Sequence, residues 1–235
     1  MSQHVSMPAS QAIHLRNVVF GYDPRKPVLR IDELIVPAGQ RVFLYGPSGS
    51  GKTTLLGLIT GILQPQQGSC KVLDREMTKL SLSARDRLRG AEMGYIFQSF
   101  NLIPYLTVRQ NVALPCQVHK RRRNHIIAPT LNEEVERLVR RLGLESHIDH
   151  GVKQLSTGQQ QRVAIARAVI GKPSLVIADE PTSALDTDRR EAFMNLLLEV
   201  CHEASATLVF VSHDRSLTAH FDQQIALSDI SEVCA

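Results

Sequence analysis

The loop Gly46-Pro47-Ser48-Gly49-Ser50-Gly51-Lys52-Thr53, with Thr54 behind it, has the composition of a phosphate cradle. Its glycines let backbone N–H groups turn inward around an anion, and a helix starting at Lys52 points its positive end at the same place. Lys52 is the residue to contact the β- and γ-phosphates of a nucleoside triphosphate, and the Thr53 hydroxyl the one to bind Mg²⁺. Downstream, Asp179-Glu180 follows the apolar run Leu175-Val176-Ile177-Ala178. A carboxylate at the end of a buried strand can hold Mg²⁺ through water, and Glu180 beside it can polarise an attacking water. Between these lies Leu155-Ser156-Thr157-Gly158-Gln159-Gln160-Gln161-Arg162. Ser156 and Gln159 have the spacing of a capping box, ahead of a helix carrying Val163, Ile165, Ala166 and Val169. Gly158 lets the backbone approach an anion, so this helix start and the Ser156 hydroxyl can bind a second phosphate face. Taken singly, these are a glycine-rich turn, a surface turn and an ordinary capped helix; their order and spacing favour one nucleotide site.

The Ser-Thr-Gly-Gln segment, with the two other motifs, resembles the signature of the ABC ATPases, and the likeness covers nearly the whole chain. It implies an α/β P-loop NTPase core with an inserted, mostly α-helical subdomain. It also implies ATP and Mg²⁺ as ligands, and a homodimer in which the signature of one copy faces the phosphate loop of the other, head to tail. Tyr22, in Phe20-Gly21-Tyr22, resembles the aromatic that stacks on adenine. Gln98, after Tyr95-Ile96-Phe97, resembles the glutamine that senses Mg²⁺ and the attacking water. Ser183-Ala184-Leu185-Asp186 resembles the loop that crosses the dimer, with Asp186 near the nucleotide. His213, in Val211-Ser212-His213-Asp214, resembles the switch histidine that contacts the γ-phosphate and steadies Glu180. One position departs: the second signature residue is usually glycine and here is Thr157. Activity is still expected, and the sequence does not give the sign of the effect.

Within that family the chain is similar to the lipoprotein-release, macrolide-export and cell-division branch. The residues are Arg87-Leu88-Arg89-Gly90, the apolar segment from Phe97 to Val108 and the glutamines of the signature. The resemblance implies an integral membrane permease of few spans as partner, docked on the apolar segment through a coupling helix. It places the chain in the cytoplasm, peripheral on the cytoplasmic face of the inner membrane. A soluble family member acting on ribosomes or DNA is the alternative. It fits less well, because such members carry two ATPase units or long coiled-coil insertions. A P-loop kinase would not need the signature.

Composition sets the outer bounds. The chain has 235 residues, 43% of them hydrophobic, and a net charge of +4. That suits one large domain with a real core, and the charge is too small to imply nucleic acid, which is not expected as a partner. Cys70, Cys116, Cys201 and Cys234 are scattered and form no CxxC pair, so reduced thiols are expected rather than zinc. No stretch approaches the ~18–20 apolar residues that span a bilayer, and Met1 to Ser6 lacks the basic head and apolar run of a signal peptide. The basic run His119-Lys120-Arg121-Arg122-Arg123 reads as a solvated loop, or as a contact for anionic headgroups; no aromatic platform for nucleic acid accompanies it.

The elements that must position these groups follow from periodicity. The first dozen residues are polar and are expected to be loose. Ile13–Phe20 alternates as a strand, Pro24 and Pro27 break the chain, and a second extended stretch ends near Val36 before the turn Pro37-Ala38-Gly39. Arg41–Tyr45 reads as a buried strand feeding the phosphate loop. The helix after Lys52, with Leu55, Leu56, Leu58, Ile59 and Leu63, is expected to end at Pro65. Met93–Phe97, Leu175–Ala178 and Thr207–Val211 read as further strands. Phe193, Leu197, Val200 and Cys201 mark a helix between the last two. Thr130-Leu131-Asn132-Glu133 looks like a capping box opening a helix whose apolar face is Leu131, Val135, Leu138, Val139 and Leu142. Gly143 stops it, and Glu133–Arg137 and Glu136–Arg140 support it as i,i+4 pairs. Residues 88–154 are expected to form the helical subdomain, and 1–87 with 155–235 the nucleotide-binding core.

Overall fold

A computed structural model describes residues 10–183 and 185–232. The described residues form two five-stranded sheets. The antiparallel sheet is built from β1 (Gln11–Phe20), β2 (Leu29–Pro37), β4 (Gln67–Val72), β5 (Arg75–Glu76) and β10 (Ser231–Glu232), in the order β10-β2-β1-β4-β5. The parallel sheet contains β3 (Arg41–Tyr45), β6 (Met93–Ile96), β7 (Leu175–Asp179), β8 (Thr207–Val211) and β9 (Gln223–Ala226), in the order β6-β7-β8-β3-β9. Helices α1 (Lys52–Ile59), α2 (Leu82–Glu92), α3 (Val108–Val118), α4 (Lys120–Asn124), α5 (Leu131–Arg141), α6 (Thr157–Val169), α7 (Thr187–Glu203) and α8 (Leu227–Ile230) complete it. None is long and apolar enough to cross a membrane.

The parallel strands are nearly continuous apolar runs because both faces of their sheet are covered. Period-2 alternation sends their side chains to two cores. Phe43, Val176, Ala178, Leu208 and Phe210 face the core shared with α3, α5, α6 and α7. Val42, Leu44, Ile177, Val209 and Val211 face α1 and the antiparallel sheet. β3 lies between β8 and β9, so the phosphate loop leaves the carboxyl edge of the sheet beside the ends of β7 and β8. That edge is where open α/β sheets bind ligands.

Four local expectations need correction. The helix after Lys52 ends at Ile59, not Pro65: Thr60 caps it, Gly61 takes φ +72°, and Leu63 folds back, its N–H donating to the Gly57 carbonyl at 2.9 Å. Met93–Ile96 forms the strand its sequence suggests, but β6 pairs with β7 residue for residue in the core sheet, although it falls within the mostly helical range 88–154. We therefore propose that the helical subdomain runs from Gln98 to Gln154. In α5, Thr130 caps Glu133 N–H and the apolar face packs as expected. The charged pairs differ, however: Arg137 binds Glu134 at 2.7 Å, and Glu136 binds Arg109 of α3 at 2.9 Å. Arg137 takes an i,i+3 carboxylate on its own helix and Glu136 a partner on α3, because the exposed i,i+4 pairs they replace are worth only a few tenths of a kcal/mol.

The basic run is a helix and not a loop, with Lys120, Arg121 and Arg123 exposed and one arginine buried. It forms α4, where Arg122 is buried and donates to the Ala168 carbonyl at 2.7 Å. Burial lowers the Arg122 pKa to about 10. Arg121 pairs with the buried Glu92. Cys70, Cys116 and Cys201 are free and buried, with burial pushing their thiols up to about 12, 11 and 12 respectively, so they are inert. Cys234, Met1 to Ser6 and Ala184 lie outside the described residues.

The apolar segment after Gln98 is shaped from within. Phe100 and Val108 are buried, whereas Tyr105 is 83% exposed. Asn111 of α3 is fully buried and holds the segment's backbone. It accepts from Ile103 N–H at 2.8 Å and donates to the carbonyls of Ile103, Leu106 and Thr107 at 3.1–3.3 Å. Asn111→Ala strands these groups and is expected to cost about 2–3 kcal/mol, read as a lower urea midpoint at unchanged m-value.

Candidate functional site at the carboxyl edge of the parallel sheet

The phosphate loop turns through Gly49 (φ +80°) and Gly51 (φ +91°), conformations that a β-carbon would strain. Gly51 is the N-cap of α1 and offers no side-chain oxygen, so the first-turn N–H groups stay available to a ligand. Lys52 Nζ curls back over the loop, donating to the carbonyls of Gly46 at 2.8 Å and Pro47 at 2.9 Å. An ammonium held by neutral carbonyls in a nearly buried position can exchange them for phosphate oxygens. Ser50 Oγ is buried and has no partner among the described residues, another polar group in this loop left for a ligand to satisfy. The loop thus fits a nucleotide phosphate chain.

A cleft of about 700 Å³ opens above it, lined by Ser48, Gly49, Gly51, Lys52, Thr53, Thr54, Gln98, Asp179, Glu180, His213 and Val28. Thr53 is exposed at its floor. Asp179 ends β7, half-buried. Burial raises its pKa, opposed by a hydrogen bond from the Tyr95 hydroxyl at 3.4 Å. The hydroxyl of Thr53 and the carboxylate of Asp179 supply the hard oxygen donors that Mg²⁺ takes. Glu180 adopts φ +48°, a left-handed conformation unusual for a side chain of its size. Its N–H donates to the Val211 carbonyl at 2.9 Å, which pins the turn to β8. One carboxylate oxygen lies 3.9 Å from Lys52 Nζ and the other 2.6 Å from His213 Nδ1. Backbone strain here places a base between a cation and an imidazole at the cleft mouth.

Two expected residues, Tyr22 and Asp186, stand outside the cleft lining, and a third, Gln98, lines it with a protein partner of its own. Tyr22 is 70% exposed and outside the cleft lining; its hydroxyl meets Thr54 Oγ1 at 3.3 Å and its ring packs edge-on against Phe20. It flanks the loop as a free aromatic face. Gln98 lines the cleft but donates to Ser183 Oγ at 3.2 Å, joining the segment after β6 to that after Glu180. Asp186 caps α7, accepting from Arg189 N–H at 2.9 Å, and does not line the cleft.

The signature forms the capping box its spacing predicts: Ser156 Oγ accepts from Gln159 N–H, and Gln159 Oε1 accepts from Ser156 N–H at 2.9 Å. Gly158 has open space around it. Ser156, Thr157 and Gly158 line a second cleft, with Arg141, Arg162 and Arg189, that shares no residue with the first. Sequence reasoning missed Tyr95 as a partner of Asp179, Ser183 as a partner of Gln98, and Arg190, which pairs with Asp214 and donates to the Leu185 carbonyl. No local signal announces contacts between residues 24 to 85 positions apart.

Residues 29–183 match the family model described as ABC transporter. The chain belongs to the ABC transporter family. Among similar proteins is the lipoprotein-releasing system ATP-binding protein LolD 2 of Rhodospirillum rubrum, 39% identical over 83% of this chain and 82% of that protein. The macrolide export ATP-binding/permease protein MacB 1 of Aeromonas hydrophila is 39% identical over 87% of this chain, which spans 31% of that longer protein. The fold resembles the ATP-binding cassette MJ0796, solved as a dimer in a post-hydrolysis state with ADP and Pi. The TM-score is 0.79 at 32% identity, covering 95% of this chain and 99% of that one. The ABC cassette described here is thus an ATP-binding, ATP-hydrolysing transporter subunit of the LolD- and MacB-like branch.

Proposed function

We propose that two copies of this chain close head to tail around two ATP and use the closure to drive a membrane permease from the cytoplasmic face of the inner membrane. The observation that carries this reading is the separation of the two phosphate faces. The loop, Glu180 and His213 line one cleft, while the signature helix start lines another. One chain cannot bring both faces to one γ-phosphate; a second, antiparallel copy can.

In this reading Lys52 and the loop N–H groups of Gly46 to Thr53, with Thr54, hold the phosphates, and Tyr22 stacks on adenine. Thr53 and Asp179 hold Mg²⁺, with Gln98 beside it; the ion would neutralise charge on the phosphates. Glu180 takes the proton of the attacking water, and His213 orients Glu180 through the 2.6 Å contact. Ser156, Gly158 and Gln159 of the partner bind the γ-phosphate across the interface, and Asp186 contributes to that interface by capping α7. The exposed Tyr105, within the apolar segment braced by Asn111, is the contact for the permease. The likeness to LolD and MacB supports work done through that permease: export, extraction of lipid or lipoprotein, or transmission of motion.

Two measurements test this. ATP turnover per subunit should rise with protein concentration, with a Hill coefficient approaching 2 in ATP, since each site needs both copies; a flat specific activity with hyperbolic kinetics contradicts the sandwich. Affinity purification of the tagged chain from gently solubilised native membranes should recover a stoichiometric integral membrane protein. Recovery of ribosomal or DNA-repair components without one would reject the permease.

Tyr95→Phe removes the hydroxyl that steadies Asp179. The Mg²⁺ concentration for half-maximal turnover should rise about tenfold, the usual cost of losing such an outer partner, with ATP binding in the absence of metal unchanged.

A further inference from the structure

The signature's capping box is itself held by a side chain from another element. The turn Glu145–His147 precedes the signature, and His147 Nε2 lies 3.0 Å from Gln159 Nε2. The hydrogen-bond network fixes the direction of every bond. Ser156 N–H can only donate, so the Gln159 atom 2.9 Å from it is the carbonyl oxygen. The other end of that amide, the NH₂ group, can only donate, so His147 must accept at Nε2. Its ring proton then sits on Nδ1 and donates to Ser146 Oγ at 2.9 Å. The turn is anchored on its far side, where Val108 and Arg109 at the start of α3 donate their N–H groups to the carbonyls of His150 and Ile148 at 3.0 and 2.9 Å. The His150 ring packs edge-on against His147 with centroids 5.3 Å apart.

We infer that His147 is a positioning residue for ATP-driven dimer closure: as the obligate acceptor for the Gln159 amide, it locks the signature capping box in the orientation that presents the start of α6. This rests on the sandwich reading above. A glutamine amide can turn over by 180° about its last torsion, and only Oε1 satisfies Ser156 N–H. Without an acceptor opposite the NH₂ group, the flipped amide competes and the box opens. The first turn of α6 then loses order on the face where Thr157 and Gly158 would meet the partner's nucleotide. The chain of bonds also links that face, through the 148–150 backbone, to α3 and the segment ending in Thr107 that Asn111 braces.

The test uses substitutions that differ only in hydrogen-bonding sense. His147→Gln keeps an acceptor; His147→Lys presents only donors. In a Glu180→Gln parent with Mg-ATP, followed by sedimentation, His147→Lys should raise the ATP concentration for half-maximal dimer about tenfold, the effect of losing one neutral hydrogen bond at each of two sites. His147→Gln should stay within about twofold of the parent, by the same reasoning. Adding Gln159→Glu to His147→Lys replaces the amide with a carboxylate that accepts from both Ser156 N–H and the lysine, and should recover most of the loss. In the otherwise native chain the same substitution should raise KM for ATP more than it lowers kcat. Dimerisation of His147→Lys like the parent, or equal losses in His147→Lys and His147→Gln with no recovery by Gln159→Glu, overturns the inference while leaving the sandwich intact. Failure of the Glu180→Gln parent to dimerise at all removes the sandwich, and the inference with it.

Discussion

Lys52→Ala should lower kcat/KM for ATP by about 10²–10³-fold, the range seen when one preorganised charge is removed from a transition state. The structure separates this loss from a folding defect. Among the described residues Lys52 Nζ bonds only to two loop carbonyls and stands 3.9 Å from Glu180, at the edge of an open cleft. Truncating it lets water reach those carbonyls and creates no sealed cavity, so stability should change by less than about 1 kcal/mol. Lys52→Arg should fare little better than alanine, because a planar guanidinium cannot replace a point charge curled over the loop. Nucleotide binding by calorimetry and turnover by phosphate release check this together. Unchanged steady-state kinetics would remove Lys52 from the site, and a large drop in the urea midpoint would make the loss of activity structural.

The elements nearest the chemistry were the most legible. Arg41–Tyr45 and Thr207–Val211 match their observed strands residue for residue, because a strand buried on both faces must be apolar throughout. The capping box at Ser156 was readable for the same reason: its bonds close within four residues. Legibility fails where tertiary contact decides. β4 reads Gln-Gly-Ser-Cys-Lys-Val, too polar and too rich in glycine to announce itself, and exists because β1 offers its edge. α3 carries Pro115 inside it, which argues against a helix until the capping box at Thr107 and the packing on α6 are seen. Charge predicts solvent for the basic run, and Lys120, Arg121 and Arg123 meet it, whereas Arg122 finds the carbonyl of Ala168 and a buried place. Gln98 and Asp186 show the limit within the site. Both stand in segments that resemble family motifs, but their hydrogen bonds go to Ser183 and to the start of α7. What a motif cannot specify is the partner each polar group takes before ligand and second subunit arrive.

Glu180→Gln should abolish most ATP turnover, by about 10²–10⁴-fold as for loss of a general base, while turning ATP into a stable glue between two chains. Both effects come from one change of charge in an unchanged shape. Glutamine can keep φ +48°, the N–H bond to the Val211 carbonyl and, through its own carbonyl, the contact with His213 Nδ1. It cannot take a proton from water. It also removes a carboxylate that, in the closed dimer, would face the γ-phosphate across a few ångströms of dry interface. At an effective dielectric of about 20, like charges about 4 Å apart repel by about 4 kcal/mol, an upper bound before screening by metal and water. Relief at two sites favours closure, and without hydrolysis nothing reopens it. On sedimentation with saturating Mg-ATP the variant should run as a dimer, and with Mg-ADP as a monomer. The native chain should show the dimer only transiently. Glu180→Ala should trap less well, since it also vacates the contact that holds His213. A Glu180→Gln chain that stays monomeric at saturating Mg-ATP would mean that the two phosphate faces of this fold do not meet.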